Sequence, residues 1–541
     1  MARCATPGQS LLETAPLPSV GRTAMTTQKP KISRRAALKG GALSGLGLVA
    51  CSKLGDSLSE EAAPPLAGLK MTNDEWFAER AWSVSANKVL AKADGSTAAV
   101  TSLAKRIHRP RSAADIAAIV THLPAATPIA CVCGGHESSG VALVAAHDAE
   151  VLDLIELKAI EFHRADGELL VTVGSGVVFR ELVEAVREHG GALPVGTGPG
   201  VGVAGYVTNG GLSSYFSRRL GLLGQRAVKM TVVTADGVIR VLTPADELFT
   251  VMLGAGSAMA IVADITFAVA DAGVVKGAEQ LVFGFETRAQ AVEFSRSSMQ
   301  FMKDRVLPNE SVSLEVVVSG TNALVATTIF YDTFQGDAAA FIQPLQDLAA
   351  RMNLPMLAQS HWGSWFEAAA ALWPVIAEQQ GSPLATSYHC AGTPGAPEDA
   401  VLDFVGDVLV GEAPLAEAEM SIVEIRTLGG EAQKGRLLPS GNCHHAFFVD
   451  LVTLYDASAK TPAERRAIVD LTDRVVDKAR ACPGLGVDFS GTHSQPDDAA
   501  RSAVASEIFG TEEMARRVAA QKRQVDPANR FRFHPFAKFL G

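Results

Sequence analysis

From residue 112 to 272 the chain is built of short apolar runs punctuated by turn residues. Ser112 stands as an N-cap, with Asp115 three residues on, for a helix running to His122 and stopping before Pro124. The apolar run 128–133 follows as a strand, and 151–154 and 159–163 read as two more. Ala165-Asp166-Gly167 makes a hairpin turn, with 169–173 as its returning strand. Gly174-Ser175-Gly176 leads into a helix over 179–189, closed by Gly190-Gly191. Strands 227–234 and 238–242 flank an Asp236-Gly237 turn, and apolar segments around 261–269 close the region. Upstream, a helical pattern runs from Trp76 toward Arg109-Pro110-Arg111.

Near residue 273 the pattern changes. Strands are predicted over 280–286, 311–318, 324–331, 422–426 and 446–455, and helices over 288–303, 338–352 and 463–481. This is the α+β order of an antiparallel sheet covered by helices. No internal repeat interrupts it.

One stretch obeys neither period. Residues 196–211 read GTGPGVGVAGYVTNGG. Each glycine inside a helix or strand costs roughly 0.5–1 kcal/mol relative to alanine, so neither is expected here. The apolar Val201, Val203, Tyr206 and Val207 exclude a linker. Two readings remain. One is a tight turn between strands; the other is bare backbone laid along an extended anionic cofactor whose phosphates accept from N–H groups. A second glycine pair, Cys133-Gly134-Gly135-His136, stands at the end of the strand 128–133. Gly200 to Gly205 also spells G-x-G-x-x-G, but a dinucleotide fingerprint needs a strand before it, a helix after it and an acid about 20 residues on. Here those places hold 196–199, Asn209-Gly210-Gly211 and Gln225, so a nicotinamide site is excluded.

Taken together, the GGH loop and the later glycine-rich stretch resemble the flavin-binding domain of the vanillyl-alcohol oxidase superfamily, in its berberine-bridge-enzyme-like branch. The resemblance runs from about Arg106 to Phe267, with a further match at 525–531. It implies an α+β fold: a two-part PCMH-type FAD-binding domain, residues 75–272 plus a returning segment 506–541, and a substrate domain over 273–505. It implies FAD as cofactor, held by Cys133, Gly134, Gly135, His136, Gly196, Thr197, Gly202, Val203, Gly205, Tyr206, Gly210, Ile261 and Val262. In relatives the GGH histidine often bonds covalently to the flavin, a role that falls on His136. Relatives with two covalent links use a cysteine where this chain has Gly198, so at most one link is implied. The expected reaction moves a hydride from a CH–OH or CH–NH carbon of a small molecule to flavin N5. Oxygen or a separate acceptor would then reoxidise the flavin.

A base is also needed. In 446–455 Asp450 is the only ionisable residue of an apolar strand core, and a buried carboxyl has the raised pKa that a base near neutrality requires. A solvent-facing Asp450 on an edge strand is the plain alternative. His444, His445 and Tyr455 are the other candidates. The sequence departs from its relatives in 486–497, where they carry a catalytic tyrosine and an Asn-Tyr pair and this chain has none. A flavin-binding envelope protein without the usual catalysis is therefore the second reading.

Composition adds limits. At 541 residues, with 48% hydrophobic and 20% charged residues, the chain can build more than one core. A net charge of −10 argues against a nucleic-acid partner. The seven cysteines show no zinc spacing, and no metal is expected. At the N-terminus Ser33-Arg34-Arg35 precedes a modest apolar run ending in Leu48-Val49-Ala50-Cys51. Residues 1–54 are expected to be a twin-arginine signal with a lipid anchor at Cys51, and 55–74 a linker. Met25 is a plausible start, and export to the periplasm or the outer side of the cytoplasmic membrane follows.

Overall fold

In a computed structural model, residues 70–80, 102–137, 141–144, 147–321, 324–333, 338–374, 384–411, 420–456, 460–488 and 505–534 are described. The signal assignment, with Arg34, Arg35 and Cys51, lies outside these residues, as do the linker up to residue 69 and all of 489–504.

Three sheets carry the described residues. The first is parallel, with β1 (Arg106–His108), β2 (Ile129–Val132) and β3 (Glu150–Asp153) in the order β1-β3-β2. The second holds β4 (Ile160–Ala165), β5 (Glu168–Gly174), β6 (Gly191–Ala192), β7 (Ala227–Val233), β8 (Ile239–Leu242) and β9 (Ile261–Asp271), in the order β4-β5-β9-β7-β8 with β6 beside β9. The third is an eight-stranded antiparallel sheet, β13-β10-β12-β11-β15-β16-β14-β17. Its members are β10 (Gly277–Phe285), β11 (Val312–Thr321), β12 (Leu324–Thr333), β13 (Met356–Trp362), β14 (Leu384–Thr393), β15 (Met420–Thr427), β16 (Phe447–Asp456) and β17 (Gly486–Asp488).

Local chemistry explains the element ends. Ser112 Oγ accepts from Asp115 N at 3.1 Å and starts the helix Ala113–His122. Thr461 and Glu464 form a reciprocal capping box at the head of Pro462–Ala481. Asp166 and Gly167 both take positive φ, which two-residue hairpin turns require.

Several elements differ from expectation. The strand β1 was hidden in a polar RIH triplet, and β13, β14 and β17 carry too little alternation to stand out. Within the glycine-rich stretch, Val203–Val207 makes a short helix, because Val203, Ala204 and Val207 bury one side of it. That burial outweighs the propensity cost of Gly205.

Long-range hydrogen bonds tie the sheets together. Arg218, on the short helix Ser217–Leu220, donates to the carbonyls of Val306, Leu307, Asn309, Val312 and Leu428. Burial pulls its pKa down to about 10. Trp365 Nε1 donates to Leu193 O at 3.0 Å. The segment after the helix Glu512–Val525 lies along β2: Ile129 N donates to Arg530 O, and the Arg530 guanidinium reaches Thr127, Ala235 and Val120 carbonyls.

Candidate active site

A cavity of about 530 Å³ runs from the GGH loop, past the helix Val203–Val207, to one face of the third sheet. Its first wall is backbone. A Cβ on Gly134 would lie 2.3 Å from Gly202 N, and one on Gly202 would lie 2.5 Å from Gly134 N. Those two glycines are therefore required by the contact between the loops themselves. Gly205 differs: it lines the cavity and a Cβ there would meet nothing within 4 Å. His136 lines the cavity beside Gly198, whose Cβ position is 3.9 Å from the His136 ring.

The loop is held from behind. Arg80 donates to Cys133 O, and its Nε pairs with Asp153 Oδ1 at 3.0 Å. Asp153 also accepts from Trp76 Nε1 and Arg109 Nε, each at 2.9 Å. Three side-chain donors on one buried carboxylate fix the strand end from which the loop departs. Behind His136, Glu137 lines the cavity with a carboxyl that burial pushes up to about 8.

The opposite wall is made of side chains. Antiparallel pairing sets Arg426 opposite Glu315 on one side and Phe448 on the other, and Glu424 opposite Asp450. Residues two apart share a face, so all five point the same way. The Arg426 guanidinium pairs with all three acids: Nε to Glu315 at 3.1 Å, Nη1 to Asp450 at 2.8 Å, and Nη2 to Glu424. Arg426 and Glu424 line the cavity with Ile422, Phe448, Val452 and Cys390. Glu424 is the most exposed of the acids, at 27% of its side chain. Burial pushes Glu315 up to about 7, with Arg426 opposing.

Of the expected cofactor residues, Cys133, Gly134, Gly135, His136, Gly196, Thr197, Gly202, Gly205, Tyr206, Ile261 and Val262 line this cavity. Val203 and Gly210 do not. Val203 is core, and Gly210 turns at φ 94° against Ser440. The expected catalytic residues fare worse. Asp450 has no exposed side-chain surface and pairs with Arg426, so it does not reach the cavity. Tyr455 sits at an odd position of β16, on the face opposite Asp450. His444 closes the turn Gly441–His444 and packs on Gly510; burial lowers its pKa. His445 is buried against Gly392 and Phe448, which lowers its pKa to about 4. Sequence reasoning missed Glu424 and Arg426, whose i, i+2 spacing in 422–426 was the available signal, and also Phe533 and His534 of the C-terminal segment.

The donor set fits FAD. Backbone N–H groups and glycines line one end, and a polar wall able to serve a substrate lines the other. Residues 104–243 match the family model of an FAD binding domain, and the chain carries that domain. Its fold is shared with solved oxidases. Berberine bridge enzyme-like 23 of Arabidopsis thaliana is 31% identical over 130 residues, which are 23% of this chain and 24% of that protein. The chain thus spans about a quarter of that curated relative's length. Among solved structures, 6-hydroxy-D-nicotine oxidase from Arthrobacter nicotinovorans superposes with TM-score 0.65 at 19% identity, over 87% of this chain and 98% of that one. Xylooligosaccharide oxidase from Myceliophthora thermophila, in complex with xylobiose, gives TM-score 0.66 at 18% identity, over 86% and 95%.

Proposed function

We propose that this chain is an exported FAD-dependent oxidoreductase that oxidises a CH–OH or CH–NH carbon of a small molecule. The observation that carries the reading is the single cavity joining a glycine cradle to a charged sheet face. Bound FAD would supply the two-electron acceptor, reoxidised by oxygen or a separate acceptor. His136 stands at the cradle's edge as the candidate for a covalent link.

Glu424 takes the role first expected of Asp450. It is the carboxylate on the sheet face that reaches the cavity, so it is placed to accept the substrate's heteroatom proton. Arg426 holds it from the side, and Asp450 and Glu315 hold Arg426. Ile422, Phe448 and Val452 would exclude water around the reacting carbon. A flavin-binding envelope protein without turnover is the second reading, favoured by the lack of tyrosine in 486–497. Export rests on Arg34-Arg35 and anchoring on Cys51.

Purified protein should show oxidised-flavin absorbance and, if His136 carries the link, stay yellow after acid precipitation. Glu424→Gln should keep the flavin and slow its anaerobic reduction by substrate about 10²–10⁴-fold, while Asp450→Asn changes that rate far less. Colourless protein that takes up no added FAD would sink the proposal. Lysines at Arg34 and Arg35 should trap precursor in the cytoplasm; unchanged localisation would remove the export part.

A further inference from the structure

We infer that the sheet wall selects an organic cation, a protonated amine with an apolar body, over neutral alcohols and over carboxylates. This deepens the proposed function and rests on it for taking the cavity as a substrate site.

Charge is the first ground. Three carboxyl groups share one guanidinium on this face, so acidic groups outnumber basic ones there. Among the described lining residues Arg426 is the only lysine or arginine.

The second ground is geometry. An arginine in a cavity usually invites an anionic ligand, because its fork matches a carboxylate. Here Nε, Nη1 and Nη2 each already face an acid of the same sheet. Only 5% of the Arg426 side chain is exposed, and its carbon end lies 5.7 Å from the Phe448 ring centre. A carboxylate ligand would have to displace one of three carboxylates already bonded, in a partly desolvated place. The group left facing the cavity is Glu424.

The third ground is the surroundings of Glu424. Ile422, Phe448, Val452 and Cys390 offer apolar surface and an aromatic ring beside it. A polyol laid there would leave hydroxyls without partners, which costs about 1–3 kcal/mol for each buried group. An ammonium meets a carboxylate at once, and its carbon skeleton meets the apolar side chains.

Binding can be read with three probes of one shape: benzylamine, benzyl alcohol and benzoate. Calorimetric titration of the full-length purified protein near pH 7, where the amine is protonated, should rank benzylamine tightest, by about tenfold or more over benzyl alcohol, with benzoate weakest. Glu424→Gln should erase the amine's advantage and leave benzyl alcohol unchanged. Equal or tighter binding of the alcohol or the acid, or no binding of any probe, would overturn the inference. The wild-type ranking decides it even if the variant misfolds. Flavin absorbance in the same samples separates the two ideas. Colourless protein that prefers the amine removes the oxidoreductase reading and keeps the cation site; yellow protein with no preference does the reverse.

Discussion

The two walls of the cavity solve the same packing problem with different parts. At the GGH loop, main chain meets main chain: Gly134 and Gly202 interlock so closely that neither can carry a Cβ. At the third sheet, side chains from β11, β15 and β16 meet in a cluster of one arginine and three acids. The first wall tolerates no side chain at Gly134 or Gly202, whereas the second is built from the side chains it has. A backbone wall suits an invariant ligand such as a cofactor. A side-chain wall can be retuned for a new substrate by single substitutions.

Gly134→Val should break the first wall outright. With Gly202 N at 2.3 Å and Gly200 O at 2.9 Å from the new Cβ, backbone itself must move. A loss above about 3 kcal/mol and absence of flavin are expected, read by thermal melting and by the flavin-to-protein absorbance ratio. A yellow variant melting with the wild type would refute the interlock.

Arg426→Leu should injure the second wall and spare the first. Removing the guanidinium strands Asp450, with no exposed surface, and Glu315 without their cation, at a cost of about 3–5 kcal/mol. Flavin content per folded molecule should stay at the wild-type level. Adding Asp450→Asn and Glu315→Gln should return much of the stability, because no buried charge then stands alone. If the triple variant melts no higher than the single one, the ion pairs are not what Arg426 contributes.

Glu137→Gln sharpens the comparison with the smallest effect. Its carboxyl is raised from 4.5 to about 8, so the native state keeps a proton that the unfolded chain loses. Stability from this group therefore falls as pH rises from about 4.5 to 8. The glutamine variant should match the wild type near pH 4.5 and exceed it increasingly as pH rises toward 8, measured by denaturant melts. Glu315 shifts in the same direction, and His445 and His534 in the opposite one, but all three remain in both proteins and cancel in the difference. A constant difference across that range would show that Glu137 does not titrate as described.

How much of this was legible in the sequence follows the same division. The first wall was readable because glycine is a local signal: Gly134, Gly135 and residues 196–211 announce close backbone without any knowledge of what they touch. The reason was only half right, since Gly134 and Gly202 serve each other as well as a ligand. The second wall was not readable, because it exists only through register. Glu315 and Arg426 are far apart in the chain, and only the pairing of β11 with β15 sets them opposite. Asp450 was found by its oddness within an apolar strand, and the structure places it in an ion pair with Arg426, away from the cavity. Period-two alternation could have shown that Asp450 and Tyr455, five residues apart, cannot share a face. It could also have shown that Glu424 and Arg426 must.

The C-terminal segment carries a consequence for the order of synthesis. Phe533 and His534 line the same cavity as Ile129 and the GGH loop, and Arg530 closes the hydrogen bonds of Ile129, Thr127, Val120 and Ala235. Roughly four hundred residues of translation separate the two halves of that seam. A ribosome that has finished the glycine loops has not yet made the chain that completes their surroundings. Capture of the cofactor is therefore a late event, open only to a chain whose last described residues have emerged, and truncated products of synthesis are left without a closed site.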